Sequence, residues 1–363
     1  MPPRLIFDAH LDLSYNAVDY NRDLRWPLER IRRHEIGKKD HSFRSRGTLC
    51  FPEMRRGRIG LCVATQLARY VDRFSRMPGW NSPEQAWAWT QGQHAWHVEM
   101  ERCGELLQLR TGPAVAAHAA RWQEADDAEA SQLPIGYVLS LEGADSIVSW
   151  RHLETAFGYG LRIIGLTHYG PGIYGQGTDA IGPLTPRGRE LLGEMRRLGM
   201  ILDATHLCDE SFRDALDHWD GPVWASHSNC RALASWNRQL TDDQIRELAR
   251  RGAVIGMAFD AIMMVQGWAH HRSRPEDFQL RIEKIVEHMD HICQLTGSAK
   301  HVAIGSDLDG GFGTEQTPTD LDTIADLGRL QEILTRRGYA PGDVDAILHG
   351  NAVAFLSRHL PAA

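Results

Sequence analysis

The chain has 363 residues, 42% of them hydrophobic and 24% charged, and its formal net charge at pH 7 is −7. This is the composition of an ordinary globular protein, and the negative charge argues against a nucleic-acid-binding surface. No stretch reaches the roughly 20 apolar residues of a membrane span, so we expect no membrane partner. The first residues lead directly into an apolar run, which leaves no room for a signal peptide and predicts a cytoplasmic protein.

The six cysteines are scattered along the chain without a Cys-x-x-Cys pair. This pattern favours free thiols in a reducing compartment over a disulfide framework. Cys208 and Cys230 each lie two or three residues after a candidate metal ligand. We interpret both as small buried apolar residues rather than as soft metal ligands.

Short apolar runs with the length of buried strands alternate with helical patterns along the whole chain. The predicted strands are Leu5–Leu13, Leu61–Ala68, Ile135–Gly143, Leu161–His168, Met200–His206, Pro222–His227, Ala253–Phe259 and Val302–Ser306. The predicted helices are Ser82–Leu109, His152–Gly158, Thr185–Leu198, Glu210–His218, Thr241–Arg251, Asp277–Leu295, Asp320–Arg337 and Pro341–His359.

Eight apolar strands alternating with helices predict an α/β fold, a (β/α)8 TIM barrel. Such a barrel needs about 250 residues. We therefore expect insertions, the largest between the first and second strands and the next between the second and third. No linker or low-complexity segment divides the chain, which predicts a single domain over residues 1–363. An open doubly wound sheet is the alternative, and the absence of a glycine-rich turn after the first strand weakens it.

Six of the predicted strands end in side chains that can bind a metal ion. In a barrel, the carboxyl ends of the strands form one site. Packing many titratable groups into that site is costly without a compensating positive charge, which two divalent cations would provide. The residues at these ends are His10 and Asp12, Glu142, His168, His206, His227, and Asp307 and Asp309.

Two divalent cations about 3.5–4 Å apart can hold a bridging water and make it a hydroxide near neutral pH. Some barrels of this kind bridge their metals with a carboxylated lysine at a strand end. None of the four lysines ends a predicted strand here. The bridging position therefore falls to a carboxylate, and Glu142 is the best placed.

Several ordered motifs cover nearly the whole chain and together resemble those of the membrane (renal) dipeptidase family, which are amidohydrolase-like metal-dependent hydrolases. They are Asp-Ala-His-Leu-Asp at 8–12, Leu-Glu-Gly at 141–143, Leu-Thr-His at 166–168, Leu-Gly-Met-Ile-Leu-Asp-Ala-Thr-His at 198–206, Ser-His-Ser-Asn-Cys-Arg at 226–231, Asn-Arg-Gln-Leu-Thr-Asp at 237–242, Gly-Ser-Asp-Leu-Asp-Gly at 305–310 and Gly-Asn at 350–351.

The resemblance implies a zinc-dependent dipeptidase with two Zn²⁺ per chain that hydrolyses dipeptides. Tolerance of a C-terminal D-residue is part of this expectation. By this resemblance His10 and Asp12 bind one zinc, His206 and His227 bind the other, and Glu142 bridges the two.

The resemblance also implies roles toward the substrate. His168 would face the scissile carbonyl and stabilise the oxyanion. Arg238 would pair with the C-terminal carboxylate, and Asp307 would pass a proton from the water to the leaving amine. Arg231 competes with Arg238 and ranks second, as a structural partner of its loop. Asp203 and Asp309 are interpreted as supporting rather than ligating residues.

Two loops depart from the family pattern. After Leu-Thr-His the family commonly has an asparagine-containing loop, whereas Tyr169–Gly177 is rich in glycine with two tyrosines. The segment Asp260–His271 carries two methionines, a tryptophan and a histidine pair, which a lid, a subunit contact or a solvated loop would each explain. Substrate preference is therefore open.

Two other functions stay open at this point. A metal-dependent hydrolase acting on another amide, a lactone or a specialised biosynthetic peptide would fit the altered loop. A barrel that binds a metal or a peptide without turning it over is a third reading, which the complete ligand set argues against. A homodimer is expected from the frequency of symmetric oligomers among soluble enzymes.

Overall fold

The structure, a computed structural model, describes residues 4–71 and 78–362. The strands are β1 (Ile6–Leu11), β2 (Ile59–Leu67), β3 (Leu106–Gln108), β4 (Ile135–Glu142), β5 (Leu161–Gly165), β6 (Ile201–Asp203), β7 (Val223–Trp224), β8 (Ile255–Met257) and β9 (Val302–Ile304). The helices are α1 (Leu13–Val18), α2 (Leu28–His34), α3 (Phe51–Arg56), α4 (Pro83–Arg102), α5 (Gly112–Glu124), α6 (Asp127–Ala130), α7 (Trp150–Gly158), α8 (Pro186–Arg197), α9 (Asp209–His218), α10 (Asp242–Arg250), α11 (Ala261–Met264), α12 (Lys284–Thr296), α13 (Leu330–Arg336), α14 (Pro341–Asp345) and α15 (Asn351–His359).

Eight parallel strands form a nearly closed ring in the order β7-β6-β5-β4-β2-β1-β9-β8. Ala225, just past β7, completes the ring by pairing in parallel with Ile255 of β8. The backbone N–H of Ala225 donates to the Val254 carbonyl at 3.0 Å, and that of Gly256 donates to the Ala225 carbonyl at 2.8 Å. The predicted (β/α)8 barrel is thereby confirmed.

The barrel strands are buried along nearly their whole length, as expected where side chains fill the interior and helices cover the outside. The interior is tightly packed where strands β7, β8 and β9 meet. A Cβ atom at Gly256 or Gly305 would lie 1.9 Å from the carbonyl oxygen of Ser226. Glycine at both positions lets the three strand ends approach one another below the site.

Both predicted insertions are present. Residues 12–58 join β1 to β2 and contain α1, α2 and α3, while residues 68–134 join β2 to β4 and contain α4, β3, α5 and α6. Tyr15 of the first insertion and Trp89 of the second both line the barrel mouth, so the two insertions contribute to its wall.

A buried network of ion pairs fastens the first insertion to the barrel. Arg22 pairs with Glu35 at 2.8 Å and with Asp309 at 3.0 Å, and Arg44 pairs with Glu35 at 2.7 Å. Asp309 also accepts hydrogen bonds from the backbone N–H and the hydroxyl of Thr48 at 2.7 and 2.8 Å. Asp309 is thus held by its own protein partners.

The predicted helix Ser82–Leu109 is wrong at its carboxyl end. Helix α4 stops at Arg102, and Gly104 adopts a φ of 77°, where a side chain would be strained. The chain then forms β3, which pairs in parallel with β4 outside the ring. A three-residue strand is too short to show a periodicity in the sequence.

Two other predicted helices begin later than expected. Residues Pro275–Phe278 form a 3₁₀ turn, Gln279 has a φ of 47°, and α12 begins at Lys284. Likewise Ile324–Arg329 is a 3₁₀ helix that leads into α13.

Within residues 4–71 and 78–362, none of the helices combines the length and the apolar character needed to cross a bilayer. Residues 1–3, part of the segment on which the expectation of no signal peptide rests, lie outside the described residues. The single-domain organisation stays a prediction.

Candidate metal centre

The predicted site residues converge at the carboxyl end of the barrel. His10 lies within β1 and Asp12 just after it, and Glu142 is the last residue of β4. The other four share one spacing, because each follows the last residue of its strand by three positions. They are His168 after β5, His206 after β6, His227 after β7 and Asp307 after β9.

Glu142 occupies the centre of this group. Its Oε1 lies 3.0 Å from Nε2 of His206 and 3.3 Å from Nε2 of His227. Its Oε2 lies 3.8 Å from Nε2 of His10 and 3.9 Å from Nε2 of His168. Each carboxylate oxygen therefore faces a different pair of imidazoles.

Two sets of potential ligands share Glu142. One consists of His10, Asp12 and Glu142, and the other of Glu142, His206 and His227, with the ligand atoms of each set within 4.8 Å of one another. A third set, within the same limit, joins His10, His227 and Asp307.

Three atoms in this cluster are buried without a hydrogen-bond partner in the described ranges: His10 Nε2, Asp12 Oδ1 and Glu142 Oε1. Leaving such atoms unsatisfied is costly, and a bound cation would satisfy all three. Imidazole and carboxylate donors in this combination fit two divalent metal ions.

Hydroxyl groups hold the opposite nitrogens of the ligand histidines. Nδ1 of His206 lies 3.0 Å from Thr178 Oγ1, and Nδ1 of His227 lies 2.8 Å from Ser226 Oγ. Nδ1 of His10 is 3.4 Å from Thr65 Oγ1. These contacts fix each ring so that Nε2 points into the centre, as outer partners of metal-binding histidines do.

The electrostatics of the centre agree with cation binding. Burial, together with the charge of Arg238, holds the pKa of His206 well below its usual range, so its ring is neutral with a lone pair to offer. Burial raises the pKa of Glu142 to about 7 and that of Asp307 well above its usual range. Burial alone would lower the pKa of His10, but the nearby carboxylates, Glu142 foremost, raise it to about 10.

Backbone strain is present at two of these strand ends. His206 and Asp307 have φ values of 67° and 59°, a left-handed conformation that costs a non-glycine residue about 1–3 kcal/mol. Asp203 Oδ1 accepts from the N–H groups of Thr205 and Ser226 at 3.0 and 3.1 Å, which ties these strand ends together. The strand ends are therefore held in place by more than the ladder hydrogen bonds.

The metal centre forms the floor of a cavity of about 330 Å³. Arg238 lines this cavity although it is largely buried, and it donates to Ser228 Oγ at 3.1 Å and to the His227 carbonyl at 2.8 Å. No carboxylate in the described part of the chain forms an ion pair with it. Arg231, by contrast, is committed to Asp209 through two bonds of 2.8 and 2.7 Å.

Sequence reasoning missed two cavity-lining residues at strand ends. Arg69 lies two residues after β2, and Asp260 lies three residues after β8. The candidates from the sequence were limited to metal-binding residue types at the ends of six strands. Considering every charged residue at the ends of all eight barrel strands would have found both. Asp260 caps α11, accepting from the backbone N–H of Ile262 at 3.1 Å, and also accepts from Gln316 at 2.8 Å.

Arg69 determines which nitrogen of His168 carries the proton. Its Nη2 donates to Nδ1 of His168. A guanidinium has no acceptor, so Nδ1 must accept and the neutral ring carries its hydrogen on Nε2. Burial and the charges of Arg69 and Arg238 lower the pKa of His168 well below its usual range. His168 therefore presents a neutral N–H donor to the centre.

The two unusual loops differ in their relation to the cavity. Tyr169 lines it, and its loop lies directly against the backbone of His168, because a Cβ atom at Gly177 would lie 1.9 Å from the His168 carbonyl oxygen. From the other loop, Asp260 and Met263 line the cavity, whereas its later residues do not.

Cys208 and Cys230, the two cysteines close in sequence to candidate metal ligands, contact backbone groups. Cys208 Sγ caps α9 and donates to the Gly182 carbonyl at 3.2 Å, and Cys230 Sγ donates to the His288 carbonyl at 3.4 Å.

Comparison with known proteins gives relatives for the chain and for its fold. A protein in the pqqA 5′ region of Klebsiella pneumoniae is 32% identical over 234 residues, covering 62% of this chain and 82% of that protein. An uncharacterized dipeptidase of Schizosaccharomyces pombe is 29% identical over 209 residues, covering 56% of this chain and 48% of its own length. The match thus spans about half of the yeast protein.

A solved structure shares the fold over almost the full length of both chains. It is a metallo peptidase from Rhodobacter sphaeroides liganded with a phosphinate mimic of the dipeptide L-Ala-D-Ala, with a TM-score of 0.78 and 23% identity over 98% of this chain and 99% of that one.

The family model for membrane dipeptidase (Peptidase family M19) matches residues 4–358, nearly the whole chain. The family resemblance inferred from the ordered motifs is confirmed, and with it the prediction of a metal-dependent enzyme of the dipeptidase type. The chain belongs to the membrane dipeptidase family, Peptidase family M19.

Proposed function

We propose that this protein hydrolyses the peptide bond of dipeptides with two zinc ions held at the barrel mouth. His10 and Asp12 would hold one ion, His206 and His227 the other, and Glu142 would bridge them. The observation that carries this proposal is Glu142 itself, a buried carboxylate shared by two ligand sets, whose Oε1 has no hydrogen-bond partner in the described ranges.

Zinc suits a site of imidazole and carboxylate ligands, because it binds nitrogen and oxygen donors in low-coordinate geometry. When bound, the two ions would supply Lewis-acid chemistry, polarising the scissile carbonyl and lowering the pKa of the attacking water. The positive charge would also offset the burial of Asp12, Glu142 and Asp307.

The remaining groups of the chain would bind the substrate and move protons. The guanidinium of Arg238, which forms no ion pair with a carboxylate in the described ranges, would take the C-terminal carboxylate through two parallel hydrogen bonds. The Nε2–H of His168 would donate to the carbonyl oxygen as negative charge develops on it. Asp307, whose Oδ1 lies 3.7 Å from His10 Nε2, would accept a proton from the attacking water and return it to the leaving amine.

Hydrolysis of substrates with a C-terminal D-residue is part of this proposal. The structurally similar Rhodobacter sphaeroides peptidase is liganded with a mimic of L-Ala-D-Ala, which supports a site of this shape accepting that stereochemistry. Tyr169 and Met263, which line the cavity, would contact the substrate and set its preference.

The test is a panel of L,L and L,D dipeptides, assayed with zinc-loaded and with chelator-stripped protein. Turnover that disappears on stripping and returns with zinc is the expected result. Failure to hydrolyse any dipeptide while zinc is bound would overturn the proposal. The loop containing Tyr169 would then favour the second candidate, hydrolysis of another amide or a lactone, and activity on such compounds would establish it.

A homodimer and a cytoplasmic location stay predictions. Sedimentation of the purified protein would test the first, and fractionation of the source cells the second.

A further inference from the structure

The cavity extends beyond the metal centre to an aromatic and acidic end that the proposed chemistry does not use. Tyr15, Asp19, Trp80 and Trp89 line this end. Helix α1 begins directly after Asp12, and Asp19 is its C-cap residue. At about 1.5 Å of rise per residue, the backbone of Asp19 lies about 10 Å from that of Asp12 along the helix axis. A short helix therefore places a second carboxylate about two helical turns from Asp12, on the same cavity as the metal centre.

Asp19 is suited to receive a cation. Its two carboxylate oxygens accept from the indole N–H of Trp89 at 3.0 and 3.1 Å, and no Lys, Arg or His in the described ranges forms an ion pair with it. Burial raises the pKa of Asp19 to about 7. The rings of Trp80 and Trp89 lie 4.9 Å apart at 42°. A partly desolvated carboxylate beside two indole rings is an environment that favours ammonium or guanidinium groups.

The order of strands in the barrel shows which end of a dipeptide would reach Asp19. In the eight-stranded ring β7 and β2 are four positions apart, so they lie on opposite sides. Arg238 follows β7, whereas Trp80 and Trp89 follow β2, and Glu142 lies on the floor between the two sides. With its carboxylate at Arg238 and its carbonyl above Glu142, a dipeptide would direct its N-terminal residue toward Asp19.

The other charged groups of the cavity have partners or assigned roles. Arg69 is on the same side as Asp19 but donates to His168. Among the carboxylates, Asp145 has the strongest electrostatic effect on the pKa of Arg69. Asp260 caps α11 and accepts from Gln316. Asp12, Glu142 and Asp307 belong to the metal centre. Asp19 is the cavity carboxylate that remains for a positive group on the substrate.

We propose that Asp19, Trp80 and Trp89 form a subsite that selects a long cationic side chain, lysine or arginine, on the N-terminal residue of the dipeptide. This inference rests on the proposed dipeptidase activity. A long side chain suits the separation between the metal centre and Asp19, and the indole rings would pack against its methylene groups while the charged end meets the carboxylate.

The experiment compares L-Lys-Ala with L-norleucine-Ala, which has a similar length and no charge, and with L-Glu-Ala. The C-terminal alanine is the enantiomer that the enzyme hydrolyses faster. For the wild-type protein we expect kcat/KM for the lysine substrate to exceed that for norleucine by about tenfold or more, and glutamate to be the poorest. In Asp19→Asn this ratio should fall to about 1.

Asp23→Asn is the matched control, since Asp23 lies in the same insertion and pairs with Arg25 outside the cavity. This variant should keep the wild-type ratio. The zinc content of both variants would show that the centre is intact, and recovery of the ratio in Asp19→Glu would tie it to the charge.

The outcomes separate the two proposals. Turnover of norleucine dipeptides at a rate equal to or above that of lysine dipeptides overturns the cationic subsite alone. A lysine preference that survives Asp19→Asn also overturns it. Absence of turnover on every dipeptide overturns the dipeptidase proposal and the subsite with it.

Discussion

Two buried clusters of charged side chains lie close together in this molecule and differ in one respect. In the first, Arg22, Arg44, Glu35 and Asp309 satisfy one another through ion pairs of 2.7 to 3.0 Å. In the metal centre, acidic and imidazole groups face one another across 3.7 to 3.9 Å around His10, and three of their atoms have no hydrogen-bond partner in the described ranges.

The difference separates a structural cluster from a binding cluster. The first contains its own cations, so burial of its carboxylates is compensated within the folded chain. In the second cluster, protonated His10 is the cation that lies among several buried carboxylates. The rest of their negative charge has to be compensated by a bound ligand. Asp309, which resembles a metal ligand in sequence, belongs to the first cluster because Arg22 reaches it.

The largest expected effect is loss of activity when the bridging carboxylate is changed. Glu142→Gln keeps the size of the side chain but removes the charge that both cations would share, and we expect kcat/KM on dipeptides to fall about a thousandfold or more, with loss of bound zinc. Glu190→Gln, the same change on the exposed face of α8, is the control. Full zinc content and full rate in Glu142→Gln would show that Glu142 does not bridge.

A substitution in the first cluster, the ion-paired one, should change the stability of the protein rather than its catalytic rate. Arg22→Met leaves Glu35 and Asp309 buried without their shared cation, and we expect the free energy of unfolding to fall by about 3–5 kcal/mol. Arg25→Met removes an arginine of an exposed pair with Asp23 and should cost less than about 1 kcal/mol. Urea denaturation would measure both, and equal losses would contradict the distinction between the clusters.

Substrate binding should distinguish the two arginines of the β7 loop. Arg238→Lys keeps a positive charge but loses the planar fork, so kcat/KM should fall about tenfold, mainly through a higher KM. Arg231→Lys, in a side chain already committed to Asp209, should leave KM near its wild-type value. A KM effect of Arg231→Lys larger than that of Arg238→Lys would reverse the assignment of the carboxylate site.

A last effect is expected in the pH dependence of the metal-stripped protein. The pKa of Glu142 is raised from 4.5 to about 7 in the folded state, so between these values the folded chain binds a proton that the unfolded chain has lost. Its contribution to stability therefore decreases as the pH rises, by at most about 1.4 kcal/mol per pH unit. Relative to wild type, stripped Glu142→Gln should become more stable from pH 4.5 to 7, whereas Glu190→Gln should not.

Much of the barrel and its metal centre could be predicted from the sequence because both follow from local pattern. Buried parallel strands are continuous apolar runs, and the carboxyl ends of such strands meet at one place, so His206 and His227 could be assigned to one site without knowing the contacts between them. The motif resemblance added the roles of His168 and Arg238, which spacing alone does not give.

The parts that could not be predicted depend on contacts between distant segments. Strand β3 exists because Leu106–Gln108 reaches the edge of β4, and three residues leave no recognisable pattern. Asp19 lies at the mouth only because a six-residue helix follows Asp12 and packs beside α4. Arg69 sets the tautomer of His168 only because the fold brings that ring within reach of its guanidinium. Tertiary contacts of this kind outweigh local propensity in short elements.

The central claim is that the second cluster, around Glu142, is a two-metal catalytic centre. Its most direct test is a zinc titration of the chelator-stripped protein, with dipeptide hydrolysis followed at each step. We expect activity to rise with bound zinc and to level off at about two ions per chain, as a bridged pair requires. Full activity in the stripped protein, or tight binding of zinc at this cluster with no hydrolysis of any dipeptide, would contradict the account.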